Sequence, residues 1–232
     1  LGRRAGGAGL RVLFSGPSGT GKTMAAATVA RTLGLDAYRV DVSRTVSKYI
    51  GETEKNLERI FTAAARSNAI LFFDEADALF GKRTDVKDAH DRFANIEVSY
   101  LLERMERFKG LAVLSTNRRR DLDEAFTRRL RYIVEFPMPG EAERLALWRR
   151  SFPPGADIRR LDLAFLATQF ELSGGHIRSV AFNACLQAAS ASESREVSMT
   201  HVLTALQREL AKLGRPAHAG LFGRYADRLE AH

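Results

Sequence analysis

Short apolar runs alternate with amphipathic segments along the first part of the chain. The apolar runs predict strands at residues 10–15, 37–42, 69–73, 111–116 and 132–136. The segments between them predict helices at residues 22–33, 53–66 and 95–108. The run at 69–73 is apolar throughout, which is typical of a strand buried on both faces. Repeated alternation of strand and helix predicts an α/β fold, a parallel sheet with helices on both faces.

The pattern changes after Pro137 and Pro139, because only helical spacing remains beyond them. Helices are predicted at residues 141–150, 161–168, 176–190 and 200–213. We therefore predict an α/β domain over residues 1–138, a small all-α domain over 139–213 and a C-terminal tail over 214–232.

A glycine loop joins the first predicted strand to the first predicted helix. Its residues match the phosphate-binding pattern G-x-x-x-x-G-K-[ST] in full: Gly16, Pro17, Ser18, Gly19, Thr20, Gly21, Lys22 and Thr23. Such a loop turns its backbone N–H groups and the start of the helix toward phosphate oxygens. Lys22 is expected to reach the β- and γ-phosphates of ATP, and Thr23 to bind Mg²⁺. An ordinary turn is the alternative. It does not explain why the loop ends in Gly-Lys-Thr, or why a strand precedes it and a helix follows it.

Two acids, Asp74 and Glu75, follow the apolar run at 69–73. Open α/β sheets bind ligands at the carboxyl edge, where these acids are expected to lie. We predict that Asp74 holds the Mg²⁺ shell and that Glu75 orients or deprotonates the attacking water. An acidic helix cap is the alternative for the pair, and the upstream phosphate loop favours the catalytic interpretation. We assign Asp77 to the start of a helix and give it no catalytic or binding role.

Composition narrows the class of protein. No apolar run is long enough to cross a bilayer, and no signal segment opens the chain. The single cysteine, Cys185, predicts a core thiol in a reducing compartment, and we expect a cytoplasmic protein. The formal charge of +8 comes mainly from arginines that are scattered along the chain. We expect most of them to lie on solvent-exposed faces of helices. Because the chain begins at Leu1 without methionine, we expect it to be a fragment.

Several motifs in order resemble those of the AAA group of the AAA+ ATPases. They are the phosphate loop, the acids Asp74 and Glu75, residues 114–117, residues 121–136 and residues 173–177. The resemblance implies a core domain and a helical lid, and hydrolysis of Mg-ATP in a ring, as a homo-hexamer. It also implies a protein substrate. We expect no membrane partner, because no apolar run is long enough to cross a bilayer.

The resemblance assigns further roles in hydrolysis. Asn117 matches sensor 1, the polar strand-end residue that positions water, although asparagine is also an ordinary turn residue. Arg129, with Arg128 beside it, matches the arginine finger that a neighbouring subunit supplies to the γ-phosphate. A common second finger would fall at Tyr132, so a mechanism with two fingers is in doubt. A surface arginine pair is the alternative.

Two other motifs are matched to ligand contacts. Lys48, Tyr49, Ile50 and Gly51 resemble the aromatic pore loop that grips a polypeptide in hexameric rings; a tyrosine capping the core is the alternative. Gly175 and His176 open a helix in the second domain, where related lids close over the nucleotide base. His176 stands where other branches carry the sensor 2 arginine, so a capping or packing role is equally open.

More narrowly, residues 47–57, 80–83 and 88–92 look like those of bacterial AAA ATPases encoded with contractile, phage-tail-like injection particles. The polar stretch at 81–93 is then either a second ring around the pore or a solvated loop. Two other functions stay open. One is a nucleic-acid ATPase, with the charge of +8 as its footprint. The other is a nucleotide-dependent assembly scaffold.

Overall fold

The computed structural model describes residues 9–42, 52–79, 99–122, 124–191, 196–215 and 218–228. The described residues separate into two compact units. The first holds the chain up to Pro137 apart from Ser18–Thr20, and the second holds Ser18–Thr20 and the chain from Met138.

A parallel sheet forms the centre of the first unit. Its strands are β1 (Leu10–Ser15), β2 (Ala37–Asp41), β3 (Ile70–Asp74), β4 (Leu111–Thr116) and β5 (Tyr132–Glu135). Their spatial order is β2-β3-β4-β1-β5, and every neighbouring pair is parallel. The fold class predicted from the sequence is confirmed.

Helices cover both faces of this sheet. They are α1 (Lys22–Leu33), α2 (Glu52–Ser67), α3 (residues 99–107) and the short α4 (Glu124–Thr127). Leu71 and Phe73 of β3 pack in one cluster with Phe61 of α2, whereas Ile70 and Phe72 pack in another with α1. Successive strand residues thus face opposite sides, which explains why β3 is apolar at every position. Two 3₁₀ turns, Ala76–Leu79 and Arg119–Asp121, follow β3 and β4.

The second unit is built from helices. They are α5 (Glu141–Ser151), α6 (Leu163–Gln169), α7 (Gly174–Ala191) and α8 (Met199–Lys212), followed by a 3₁₀ segment, Ala219–Arg228. Trp148, Leu166 and Leu206 are fully buried in their shared core. Cys185 is a free, half-buried thiol packed against this core, and burial raises the pKa of the thiol. Across the described ranges, no helix is both long and apolar enough to cross a membrane.

Candidate functional site

The glycine loop follows β1 and leads directly into α1. Gly19 and Gly21 have φ angles of 76° and 104°, which residues with a Cβ atom rarely adopt. A Cβ atom on Gly16 would lie 2.1 Å from the carbonyl oxygen of Phe136. Gly21 caps α1 without a side-chain hydrogen bond. The first turn of α1 therefore keeps a backbone geometry that suits an anion.

Lys22 is the first residue of α1, and only 7% of it is exposed. Its ammonium group donates hydrogen bonds to the carbonyls of Gly16 (2.7 Å) and Pro17 (2.9 Å) and to Oδ1 of Asn117 (2.8 Å). Burial lowers the pKa of Lys22, and the nearby carboxylates of Asp77 and Asp74 oppose that shift. These three acceptors use the three donors of the ammonium group, so a phosphate oxygen would take the place of at least one of them.

Asp74 ends β3 as a buried carboxylate with hydrogen-bond donors on both oxygens. Oδ1 accepts hydrogen bonds from the Ser115 hydroxyl (2.5 Å) and from the backbone N–H of Glu75 (3.1 Å). Oδ2 accepts one from the Thr23 hydroxyl (3.2 Å) and forms an ion pair with Arg39 (2.8 Å). The structure thus brings together the two residues that the sequence predicts for Mg²⁺, although they lie far apart in the chain.

This pair fits a magnesium ion by the chemistry of its donors. A hydroxyl and a carboxylate are hard oxygen ligands, and Mg²⁺ in proteins usually takes one or two of them together with phosphates and water. No cluster of three or more His, Cys, Asp or Glu residues that could hold a metal occurs among the described residues. If an ion binds here, Thr23 and Asp74 are the residues that would hold it, together with a nucleotide.

Glu75 directly follows the strand and has a φ of 52°. That left-handed backbone is unfavourable for a residue with a side chain, by about 1 kcal/mol or more. Two hydrogen bonds from its backbone N–H hold it there, one to Asp74 Oδ1 (3.1 Å) and one to Ser115 Oγ (3.3 Å). Within the described ranges its exposed carboxylate makes no hydrogen bond or ion pair. The group is thus available to a water molecule.

Asp77 fixes the end of β4, a role that sequence reasoning missed. Both of its carboxylate oxygens accept hydrogen bonds from the backbone N–H of Asn117, each at 3.1 Å. The Thr116 hydroxyl also donates to Asp77. Asp77 lies three residues after Asp74, within a 3₁₀ turn, so the chain returns to the same edge of the sheet. This i, i+3 spacing of acids was the available signal.

Ser115 and Arg39 were also missed as parts of the site. Ser115 is followed by a second buried polar residue, Thr116, at the end of a strand whose first four residues are apolar, and that position was its signal. Arg39 lies on β2, in register with Phe72 of β3. No local pattern distinguishes it from the other arginines of the chain.

The two arginines matched to the finger lie just after α4. Arg128 pairs with Glu124 (2.7 Å), and Arg129 lies 3.6 Å from Glu106 of α3. The Arg129 side chain is 45% exposed. In the part of the chain described, no hydrogen bond or ion pair joins either arginine to the phosphate loop or to Asp74.

His176 lies in the first turn of α7, directly after Gly175. Its Nδ1 atom is 2.8 Å from Oε1 of Glu209, a buried carboxylate on α8. Ser179 and Lys212 also donate hydrogen bonds to Glu209 (3.1 Å and 3.0 Å). Burial favours the neutral form of Glu209, but the hydrogen bonds of these three partners leave its pKa below the usual value. His176 therefore has a structural partner within its own unit.

Two predicted segments, the pore-loop residues 48–51 and the polar stretch 81–93, lie outside the described residues. Tyr132, at the position of a second finger, begins β5 and is 54% exposed.

Two protein families match the chain in succession. Residues 12–138, more than half of the chain, match the family described as "ATPase family associated with various cellular activities (AAA)". Residues 140–216 match the "Contractile injection system ATPase helical domain". The first match contains the phosphate loop, Asp74 and Asn117, and the second contains the His176–Glu209 pair.

Similar proteins come from bacteria, archaea and eukaryotes. An uncharacterized AAA family ATPase of Sinorhizobium fredii is 39% identical over 134 residues, 57% of this chain and 40% of that protein. The proteasome-activating nucleotidase of Aeropyrum pernix is 32% identical over 212 residues, 87% of this chain and 51% of that protein. The 26S proteasome subunit RPT4 of Saccharomyces cerevisiae is 38% identical over 145 residues, 60% of this chain and 33% of that protein. The chain thus spans about half, or less, of the length of these relatives.

Proposed function

Because the chain belongs to the AAA family of ATPases, we propose that it hydrolyses Mg-ATP as one subunit of a ring and thereby remodels or assembles proteins of a contractile injection particle. One observation supports the proposal that the chain hydrolyses ATP. Two residues of the phosphate loop form hydrogen bonds with residues at the ends of β3 and β4: Thr23 with Asp74 (3.2 Å) and Lys22 with Asn117 (2.8 Å).

Each residue of this cluster has a defined task in the proposal. Lys22 binds the β- and γ-phosphates, because its buried ammonium gains from anionic acceptors. Thr23 and Asp74 hold Mg²⁺, which when bound neutralises charge on the phosphates. Glu75 accepts a proton from the attacking water or orients that water, and Asn117 holds the water in line with the γ-phosphate. Ser115 and Asp77 fix the positions of Asp74 and Asn117.

The ring part rests on Arg129. The guanidinium of Arg129 lies 3.6 Å from Glu106, and almost half of the side chain is exposed. Its other described contacts, with Arg11 and Phe126, are made by its backbone. A guanidinium offered to the phosphates of the next subunit would stabilise charge in the transition state. Such a head-to-tail contact closes into a ring when the rotation between subunits allows it. The proteasomal relatives support this arrangement, and a homo-hexamer is the form we propose.

The substrate part rests on the second family match and on residues 48–51. The name of the helical domain points to a contractile injection system. In the proposal, Tyr49 moves along an extended protein segment as nucleotide is hydrolysed. A Tyr49→Ala variant should keep its ATPase activity and lose its ability to remodel protein substrates. A scaffold that only binds its partners would be unaffected by that change, and a nucleic-acid ATPase would instead show binding to DNA or RNA that weakens steeply with salt.

The ring is tested with the Glu75→Gln variant, which should bind Mg-ATP without hydrolysing it. Light scattering with Mg-ATP should show a shift to the mass of about six chains. Glu171→Gln, the same change at an exposed acid in the second unit, is the control and should hydrolyse ATP at the parent rate. Parent-level hydrolysis by Glu75→Gln would contradict the role of Glu75. A monomer that retains Mg-ATP would contradict the ring.

A further inference from the structure

The tip of the phosphate loop, Ser18–Thr20, belongs to the same compact unit as α7. Within this unit the backbone N–H of Gly175, in the first turn of α7, donates a 2.9 Å hydrogen bond to the carbonyl of Gly19. The first N–H groups of a helix have no acceptor inside the helix, so this carbonyl satisfies one of them. We call the contact of Gly19 with residues 173–175 the tip contact.

The tip contact leaves no room for a side chain at two glycines. A Cβ atom on Gly19 would lie 2.4 Å from Oγ of Ser173, and one on Gly175 would lie 2.9 Å from Cα of Gly19. Both distances are too short for a real Cβ atom. Gly174 differs, because its Cβ atom would make ordinary contacts, at 3.5 Å to Leu147 and 3.7 Å to the carbonyl oxygen of Gly19. The close approach is therefore a property of Gly175 and not of the whole first turn.

The backbone of α7 does not itself require these glycines. Neither Gly174 nor Gly175 has a positive φ, so alanine can adopt the conformation at both positions. Alanine is also the better helix former. The need for glycine at position 175 thus comes from the phosphate loop that lies against it.

The hydrogen bond also sets the direction of the next peptide group in the loop. Among the described residues every peptide bond is trans. In a trans peptide the C=O of one residue and the N–H of the next point in opposite directions. Because the Gly19 carbonyl is turned toward α7, the N–H of Thr20 points away from α7. The next residue, Gly21, caps α1, so these three residues are held between the first turns of two helices.

Capping of α7 alone does not explain why the loop carbonyl is the acceptor. Asp162 caps α6 and Ser198 caps α8, each through a side-chain oxygen. Ser173 directly precedes α7 and is the same type of capping residue. Its buried Oγ nevertheless makes no hydrogen bond to any described residue, and Gly19 accepts the hydrogen bond of Gly175 instead. This choice of acceptor points to a role in the loop.

We propose that Gly175 is a positioning residue for the phosphate loop. Its N–H holds the Gly19 carbonyl, and thereby the N–H of Thr20, in the orientation in which the loop receives a phosphate group. The inference rests on the proposed binding of Mg-ATP. It differs from the contact with the nucleotide base that the family resemblance implies for Gly175, because it acts on the phosphates and needs no base.

This role has two thermodynamic consequences. A loop that is fixed before binding loses less conformational freedom when it binds, so the hydrogen bond raises the affinity for phosphate. Coupling between two events is reciprocal, so a bound phosphate must strengthen the hydrogen bond between Gly175 and Gly19 by the same factor. The first consequence is tested with variants and the second with the parent chain.

The variants to compare are Gly175→Ala and Gly174→Ala. Both introduce alanine into the first turn of α7, but only Gly175→Ala forces a methyl group onto the backbone of Gly19. We expect Gly175→Ala to bind Mg-ATP at least about tenfold more weakly than the parent, and Gly174→Ala to bind it within about twofold. Mg-tripolyphosphate, which has phosphates and no base, should show the same two changes. Displacement of a fluorescent ATP analogue measures both ligands.

Hydrogen exchange in the parent chain tests the reciprocal effect without a substitution. The Gly175 amide should exchange at least about tenfold more slowly with saturating Mg-tripolyphosphate, as followed by NMR. The matched control is the His201 amide in the first turn of α8, which donates to the capping hydroxyl of Ser198. Its exchange should change by less than about twofold.

Several results would overturn the inference. They are equal affinities of Gly175→Ala and Gly174→Ala, or exchange of the Gly175 amide that is unchanged or faster with tripolyphosphate. A loss of affinity for ATP without a matching loss for tripolyphosphate would identify a contact with the base instead. Lower thermal stability of Gly175→Ala with parent affinity per folded molecule would leave only a structural role. A parent that binds neither ligand would contradict the proposed ATPase itself, so the two failures are distinguishable.

Discussion

The ammonium of Lys22 donates a 2.8 Å hydrogen bond to the side-chain oxygen of Asn117. This bond crosses between β1, which leads into the phosphate loop, and β4, which ends just before Asn117. The two strands are neighbours in the sheet, with Ser15 in register with Thr116. The residue proposed to bind phosphate and the residue proposed to position water are therefore in direct contact.

Asn117→Ala should separate binding from hydrolysis. Lys22 keeps its two carbonyl acceptors at Gly16 and Pro17, so ATP affinity should change by less than about threefold. Hydrolysis should fall by about a hundredfold, because one polar group that positions the water is lost. Single-turnover hydrolysis and equilibrium binding of a fluorescent ATP analogue measure the two effects. A parallel loss of affinity and rate would mean that Asn117 serves binding instead.

Asp77→Ala should reduce the hydrolysis rate without a matching loss of affinity, because Asp77 acts by positioning Asn117. Its two 3.1 Å hydrogen bonds to the Asn117 backbone would be lost. We expect kcat to fall by about tenfold and KM to change little. Asp77→Asn retains an acceptor oxygen and should restore part of the rate.

If Asp77 only stabilises the fold, a different result is expected. Thermal stability would fall in both Asp77 variants, and kcat per folded molecule would be unchanged. Asp36→Ala, at an exposed acid just before β2, controls for the loss of a negative charge. Equal kcat for the parent and Asp77→Ala at full folding would refute the positioning role.

The sequence could predict those parts of the site whose geometry is local. The phosphate loop is a continuous motif, and Asp74 and Asn117 each follow an apolar run whose end can be read directly. Arg39 and Ser115 could not be found in this way. Their contacts with Asp74 depend on β2 and β4 both lying next to β3, and strand order is a property of the whole sheet.

The C-terminal segment of the second unit is another part of the structure that local sequence patterns could not predict. We predicted a tail after residue 213, yet Phe222 is 1% exposed and its ring lies 5.8 Å from that of Phe170. The Tyr225 hydroxyl donates a 2.8 Å hydrogen bond to Asp162, which also caps α6. A leucine and a phenylalanine between Gly220 and Gly223 have no helical periodicity. Only the distant partners on α6 and beyond give the segment its structure.

Arg39→Gln should lower the Mg²⁺ concentration needed for nucleotide binding. The guanidinium of Arg39 pairs with Oδ2 of Asp74, the oxygen that also accepts the Thr23 hydrogen bond. A magnesium ion bound by Thr23 and Asp74 would compete with this cation. Because the Arg39 side chain is 63% exposed, the effect should be small, about threefold.

The effect of Arg39 is measured by titrating Mg²⁺ at fixed protein and fluorescent ATP analogue. Arg31→Gln, an exposed arginine at the end of α1, is the matched control and should leave the titration unchanged. A midpoint for Arg39→Gln at or above that of the parent would show that the guanidinium assists Mg-nucleotide binding instead of competing with it.

Glu209→Gln should destabilise the second unit near neutral pH and lose this effect in acid. The carboxylate accepts hydrogen bonds from His176, Ser179 and Lys212, and these hold its pKa below the usual value despite burial. A depressed folded-state pKa stabilises the protein above the unfolded-state pKa, and this contribution disappears as the pH falls through the folded-state pKa. Glutamine keeps the shape but removes the charge, at a cost of about 1–3 kcal/mol.

Thermal unfolding at neutral pH and at an acidic pH stepped down below the lowered folded-state pKa of Glu209 measures this linkage. The parent and Glu209→Gln should differ clearly at the higher pH and converge at the lower one. Glu171→Gln, an exposed acid in the same unit, should follow the parent at both. A difference that persists undiminished in acid would mean that the shape of the side chain, and not its charge, supports α7 and α8. Convergence would show that the charge of Glu209, through its hydrogen bonds with His176, Ser179 and Lys212, stabilises the packing of α7 against α8.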